Sequence, residues 1–245
     1  MLSERYEAVR RRLAQACARS ARPTGSVTLI GVTKTLPPAQ IREAIALGMQ
    51  DLGESRVQEM RDKRRELEKD ATAVRWHLIG HLQRNKVKQA VELFDVLHCV
   101  DSEPLAQDLN EACAARKETG ALSTTQSAAS VDQLPVFVQV NVSGEASKFG
   151  CASAAAKQLA QRIVESPHLK LAGLMTIAPY SVDPENARPC FRALADLRRQ
   201  VAGALGGWPL QDLKLSMGMS DDFEVAIEEG ADFVRIGSAL FGPRE

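Results

Sequence analysis

Short apolar runs alternate with amphipathic stretches along most of the chain, and the alternation predicts strands and helices in turn. The clearest early run is Val27-Thr28-Leu29-Ile30-Gly31-Val32-Thr33-Lys34-Thr35, followed at once by Leu36-Pro37-Pro38. A nearly continuous apolar run of this kind suits a parallel sheet covered on both faces. Ahead of it, Tyr6, Val9, Leu13, Ala16 and Cys17 recur at helical spacing, with Ser3 as the expected N-cap and Pro23 and Gly25 as terminators. After it, Ile41, Ala44, Ile45 and Leu47 form a helical stripe that stops at Gly48. The rhythm then repeats, with strands expected near residues 29, 51, 77, 97, 138, 172, 214 and 234. Further helices are expected over 55–69, up to Leu93, from Asp101-Ser102 towards Arg116, over 152–165, over 184–205 and from Asp221 to Glu229.

Eight strands in a chain of 245 residues, each of the first seven followed by a helix and the last by a short turn of one, match the count of a (β/α)8 barrel. The competing arrangement is an open doubly wound sheet, but no Gly-x-Gly-x-x-Gly follows the first strand. We therefore expect an α/β fold, a (β/α)8 TIM barrel forming a single domain over residues 1–245, with an extra N-terminal helix over 1–22. Residues 118–133 break the rhythm with Gly, Ser, Thr, Ala and Gln and few large apolar side chains. They read as a flexible surface insertion, not a domain boundary, because the strand-helix alternation resumes unchanged beyond them.

Charge and cysteine usage narrow the classes. Lys and Arg number 31, Asp and Glu 31, so the balance makes no electrostatic case for nucleic acid or an anionic membrane. The five cysteines, Cys17, Cys99, Cys113, Cys151 and Cys190, never form a C-x-x-C pair, which argues against a disulfide framework and a structural zinc site. No signal-peptide core and no run of membrane-spanning length is present, so a cytoplasmic protein is expected.

Candidate chemistry lies where strands end, since α/β folds place their sites at the carboxyl ends. Lys34 sits where the first apolar run meets Pro37-Pro38. A lysine half inside an apolar pocket is pushed towards its neutral amine, which attacks aldehydes and makes Lys34 a candidate Schiff-base residue. On this segment alone, a solvated lysine after a strand is the plainer reading. After the seventh and eighth strands stand Ser216-Met217-Gly218-Met219-Ser220-Asp221 and Arg235-Ile236-Gly237-Ser238-Ala239. Each offers a Gly and a hydroxyl at a strand-to-helix turn, where a barrel binds phosphate. Either alone could be a cap and a turn; the pair, in those two positions, favours the phosphate reading. Arg235, next to last in the eighth strand, can point into the mouth, and a pyridine nitrogen would suit a guanidinium that only donates. An amine, a phosphate cradle and an arginine together describe a pyridoxal 5′-phosphate (PLP) site.

Here the chain resembles the pyridoxal phosphate homeostasis protein family, single-domain barrels similar to the N-terminal domain of alanine racemase. The matching segments are Gly31-Val32-Thr33-Lys34, Gly53-Glu54 with Val57-Gln58-Glu59, Trp76 to Lys86, Gly173-Leu174-Met175, Leu215 to Asp222 and Arg235-Ile236-Gly237, and they span nearly the whole chain. The resemblance implies that Lys34 carries PLP, that Ser220, Gly237 and Ser238 contact its phosphate and that Arg235 faces its pyridine ring. It also implies apo PLP-dependent enzymes or free amino and keto acids as partners, and a monomer is expected. Two departures stand out: Ser55-Arg56 occupy the place of the family's usual Asn-Tyr, and the 118–133 insertion is not part of its pattern.

Two functions compete, a PLP-dependent amino-acid racemase and a carrier with little turnover. Racemisation needs an acid/base on each face of the substrate, and Lys34 supplies one. The racemases resembled here take a tyrosine for the other face from an additional C-terminal domain, whereas this sequence stops soon after the eighth strand and its tyrosines are Tyr6 and Tyr180. A donor-only Arg at the pyridine nitrogen also weakens the ring as an electron sink. The carrier reading is therefore preferred. A sugar-phosphate enzyme is disfavoured, because no His/Asp/Glu cluster has ligand spacing. His77 and His81 fall in and after a strand, so they are expected to be packed or hydrogen-bonded. Lys148 lies in the loop after the fifth strand and reads as a solvated lysine, with a second aldehyde-binding role as the alternative.

Overall fold

The computed structural model describes residues 1–118, 133–145 and 148–243. The inner part of the expected 118–133 insertion lies outside the described residues; its ends are Glu118, closing a helix, and Gln133, just before a strand. The strands are β1 (Thr28–Val32), β2 (Asp51–Glu54), β3 (Arg75–Leu78), β4 (Val96–Val100), β5 (Leu134–Asn141), β6 (Cys151–Ala152), β7 (Leu169–Met175), β8 (Lys214–Ser216) and β9 (Phe233–Ile236). The helices are α1 (Leu2–Arg19), α2 (Pro38–Ala46), α3 (Val57–Leu67), α4 (Val87–Leu93), α5 (Glu103–Glu118), α6 (Ala156–Val164), α7 (Arg188–Ala204), α8 (Phe223–Glu228) and α9 (Ser238–Phe241).

Every strand pairing is parallel, and the order β4-β3-β2-β1-β9-β8-β7-β5 is closed by β4 pairing with β5. The eight expected strands thus form a barrel, and the open-sheet alternative falls on that closing pair. β6 is an addition at its side: two residues pair with Val140 and Asn141. Its cause is local. Gly150 takes φ +126°, and a Cβ there would stand 2.6 Å from Asn141 N, so a glycine lets the loop fold back onto β5.

Between barrel and helices lies an apolar shell, with Ile41 and Ala44 of α2, Met60 and Leu67 of α3 and Phe191 and Leu194 of α7 all buried. Inside the barrel the pattern differs. His77, His98, Phe137 and Phe233 form one aromatic cluster there, His98 stacking on Phe137 at 4.3 Å between ring centroids.

α1 begins at Leu2, so Ser3 lies within the helix and does not cap it. Two of its arginines pair with glutamates of α8. Arg12 makes a two-pronged bond to Glu224 of α8 at 3.0 and 2.7 Å, and Arg19 bonds Glu228 at 2.7 Å. These contacts fasten the N-terminal helix across α8. α8 itself starts later than expected, at Phe223 with Asp222 as N-cap, so Ser220 is not its cap.

Candidate functional site

Register alone brings the expected residues together. β1 and β9 are neighbours, with Ile30 opposite Arg235 and Gly31 opposite Ile236. β9 in turn pairs with β8. Lys34 leaving β1, Gly237 and Ser238 leaving β9, and Ser220 in the loop after β8 therefore rise from three adjacent strands at the carboxyl-end mouth.

The lysine stands in a tight turn. Leu36 N–H donates to Thr33 O at 3.0 Å, which makes Lys34 and Thr35 the two central residues, and Lys34 is half-buried. Thr35 takes φ +65°, a region that β-branched residues rarely adopt. The residues on both sides of Lys34 are anchored to β2 and α3. Thr33 Oγ1 donates to Glu54 Oε1 at 2.5 Å, and Thr35 N–H donates to Glu59 Oε1. Lys63 of α3 donates to Thr33 O at 2.6 Å, Glu54 Oε1 at 2.7 Å and Glu59 Oε1 at 2.6 Å. Burial pushes the Glu54 carboxyl above its ordinary value, against the pull of Lys63 and Thr33, and its Oε2 has no hydrogen-bond partner among the described residues.

On the other side neutral groups hold Arg235 and join the loops. Ser220 Oγ accepts from Gly237 N–H at 3.2 Å and Ala239 N–H at 3.3 Å, joining the loops after β8 and β9. Gly218, before it, takes φ +93°, and a Cβ there would meet Ala226 Cβ at 2.6 Å, so this loop can only be made with glycine. Ser238 is exposed at the start of α9. Arg235 is 4% exposed and points inward, donating to Ser216 Oγ at 2.8 Å and Thr176 O at 2.9 Å. Burial pulls its guanidinium down to about 10, with Asp222 the opposing negative charge. Burial likewise raises the Asp222 carboxyl.

From Ser216 a hydrogen-bonded chain runs through the barrel interior. Ser216 Oγ lies 2.9 Å from His98 Nδ1, His98 Nε2 lies 2.9 Å from His77 Nδ1, and His77 Nε2 lies 2.9 Å from Asp51 Oδ1. Asp51 is the first residue of β2, so the chain ends at the amino-end floor, where Arg75 pairs with Asp51 at 2.8 Å. A cavity of about 230 Å³ lined by Tyr6, Thr28, Gln50, Asp51 and Arg75 opens there. The end groups give the chain a direction: a guanidinium only donates and an ionised carboxylate only accepts. Every donor meets an acceptor when both imidazoles are neutral with the proton on Nε2, an assignment made from the partners. Full burial, then His77 and Arg235, holds the His98 imidazole well below its ordinary value, which agrees with a neutral ring. Burial opposes ionisation of Asp51, but the bonds from His77 and Arg75 outweigh it and keep that carboxyl below its ordinary value.

His77 is hydrogen-bonded as expected, and His81 stacks on Phe149 at 4.0 Å between centroids. Lys148 Nζ donates to Glu145 at 3.0 Å. Tyr180 is 81% exposed, and Tyr6 lines the floor cavity at the far end. Among the described residues no group of three or more His, Cys, Asp or Glu could hold a metal, and no helix is long and apolar enough to cross a membrane. Sequence reasoning passed over Lys63, Thr176 and His98, and quoted Ser216 only as part of a segment. Lys63 stands four residues after Glu59, which reads as an ordinary surface pair. Glu54 and Glu59 were flagged in matching segments but with no role attached.

Comparison with known proteins agrees with this architecture. Residues 5–245 match the alanine racemase N-terminal domain, which defines the class of barrel. The pyridoxal phosphate homeostasis protein of Aquifex aeolicus is 40% identical over 242 residues, covering 99% of this chain and 98% of that protein. Its counterpart in Escherichia coli K12 is 39% identical over 242 residues, covering 97% and 94%. PipY of Synechococcus elongatus, solved with PLP bound, shares the fold at a TM-score of 0.76 and 34% identity, covering 99% of this chain and 100% of PipY. This chain belongs to the pyridoxal phosphate homeostasis protein family.

Proposed function

We propose that the chain holds pyridoxal 5′-phosphate as a Schiff base on Lys34 and takes part in intracellular PLP homeostasis, with little or no turnover of its own. The observation that carries this reading is the register of β1, β9 and β8, which gathers an amine, a buried guanidinium and a serine-glycine loop pair at one mouth. PipY, at 34% identity and with PLP bound, supports the same cofactor.

The donor set fits PLP. Lys34 offers the amine for its aldehyde. The N–H groups of Gly237 and Ala239, now shared by Ser220 Oγ at 3.2 and 3.3 Å, are long bonds that a phosphate oxygen would replace with charge-assisted ones. The Ser220 and Ser238 hydroxyls add two donors. Arg235, fixed by Ser216 and Thr176, would hold the pyridine nitrogen and would leave it unprotonated, because a guanidinium keeps its own proton. When bound, PLP supplies an electrophilic aldehyde and an electron-withdrawing ring. Residues 1–245 act as one barrel domain, a cytoplasmic monomer that exchanges PLP with apo-enzymes or free amino and keto acids.

Low turnover is supported by where the two tyrosines stand. Tyr6 lines the floor cavity at the far end, and Tyr180, which borders a small cavity with Met219, Asp221 and Asp222 of the loop after β8, is 81% exposed; both observations support the reading that neither serves as an opposite-face base. Lys34→Ala is expected to abolish a PLP absorption band that borohydride removes, while the barrel's circular dichroism stays. In deuterium oxide, the PLP-loaded protein should not invert L- or D-alanine at a rate well above free PLP. A missing acid/base typically forfeits about 10²–10⁴-fold. Inversion at an enzyme-like rate that Lys34→Ala removes would establish the racemase instead.

A further inference from the structure

We infer that Lys63 is a positioning residue for Lys34: with Glu54 and Glu59 it clamps the strained turn that carries the Lys34 amine at the barrel mouth. The inference rests on the reading of Lys34 as the PLP-bearing residue.

An ammonium has three N–H donors. Lys63 meets three acceptors, Thr33 O at 2.6 Å, Glu54 Oε1 at 2.7 Å and Glu59 Oε1 at 2.6 Å, so its donor set is filled. Each acceptor leads back to the turn. Thr33 O belongs to the residue before Lys34, Glu54 Oε1 also takes the Thr33 hydroxyl at 2.5 Å, and Glu59 Oε1 also takes the Thr35 N–H. One buried side chain thereby governs the backbone on both sides of Lys34.

The turn needs such a hold. Thr35 at φ +65° has its Cβ crowded against its own backbone, and a threonine stays there only when its surroundings over-determine it. Stability alone does not account for the arrangement. A buried ion pair is often no better than a well-packed apolar substitute, and Lys63 is 6% exposed and Glu54 0%. What an apolar substitute cannot do is hold Thr33 O and two carboxylates in fixed directions. The arrangement also separates two lysines at one mouth. Lys63 makes its three bonds only as an ammonium, whereas the amine that attacks an aldehyde must first lose a proton. Lys63 is thereby kept from competing with Lys34.

The test uses the full chain. Lys63→Met combined with Glu54→Gln removes the ammonium without leaving the innermost carboxylate charged. In the PLP-free protein, amide exchange over residues 33–36 is expected to quicken about tenfold or more, while the amides of β5 and β7 hold. PLP added to the same variant should attach to Lys34 about tenfold more slowly, scored by mass after borohydride. Glu59→Gln provides the milder arm, keeping an acceptor for Thr35 N–H and retaining most of the rate. Unchanged exchange over 33–36, or faster exchange with an unchanged attachment rate, would overturn the inference. If the double variant does not fold, Glu59→Ala decides in the same two readouts, since Glu59 lies at the outer edge of the cluster. A native protein that attaches no PLP at Lys34 would sink the proposed function, and the exchange readout would still report on the clamp.

Discussion

The two flanks of the mouth are held by different physics. On the β1 side, two carboxylates and an ammonium crowd around the Lys34 turn, with Lys63 bonded at 2.6–2.7 Å to three oxygens. On the β9 side, Arg235 sits in a web of a hydroxyl, a carbonyl and two imidazoles that ends at Asp51, itself paired with Arg75. Charges in direct contact give stiffness, because each is costly to leave unpaired in a dry interior. A chain of neutral groups carries no such penalty along its length and keeps a guanidinium pointed while its charge remains available to a ligand. The difference matches what each flank is proposed to do: one must present a reactive amine in a fixed place, the other must leave a donor and a phosphate cradle open.

Removing one member from each flank should separate these regimes. The largest effect is expected on the charged side. Lys63→Met alone leaves the buried Glu54 carboxyl and the partly buried Glu59 without their cation, and should cost about 3–5 kcal/mol of stability in urea titrations. A loss under about 1 kcal/mol would show that the cluster relaxes easily and that the contrast between the flanks is overstated.

The neutral side should instead reveal itself through pH. The His98 pKa is depressed in the folded protein by burial, so below an unfolded value of about 6.5 the unfolded chain takes up a proton that the native state refuses. Stability contributed by the neutral ring is present above that pH and is lost as pH falls, by up to about 1.4 kcal/mol per pH unit. His98→Phe should flatten that limb of the stability curve between roughly pH 6.5 and 5. In ¹⁵N spectra of the native protein, His77 and His98 should both carry the proton on Nε2 at neutral pH. An Nδ1 proton on His98 would reverse the direction of the chain.

The smallest effect is expected at the cradle. Ser220→Ala deletes an acceptor of two long backbone bonds, and should cost about 1 kcal/mol or less of stability. The expected signature is weaker binding of inorganic phosphate and PLP at nearly unchanged stability. A large stability loss with unchanged affinity would make Ser220 a purely structural loop fastener.

Much of this molecule can be read from pattern because the pattern is local. Apolar runs near 29, 138 and 234 with amphipathic stretches between them imply parallel strands and covering helices, and the count of eight implies closure. The strand-end places of Lys34, Ser220 and Gly237 were legible for the same reason, because a strand end is visible in one dimension, and barrels put chemistry there. What only the tertiary structure decided is which side chains meet across strands. His77 reaches His98 because β3 lies beside β4, and His98 reaches Ser216 because the barrel brings β4 and β8 to one interior. Nothing along the chain marks a serine 118 residues away as a partner of that histidine. Lys63 is the sharpest case. In sequence it is one cation on a charged helix, four residues after a glutamate. Whether such a lysine is solvated or buried depends on which face of α3 meets β1 and β2, and that face is set by packing against Met60 and Leu67, not by the charges themselves. Spacing along the helix carries the period, while the cost of burying an ammonium, and the three oxygens that offset it, exist only once the barrel has closed.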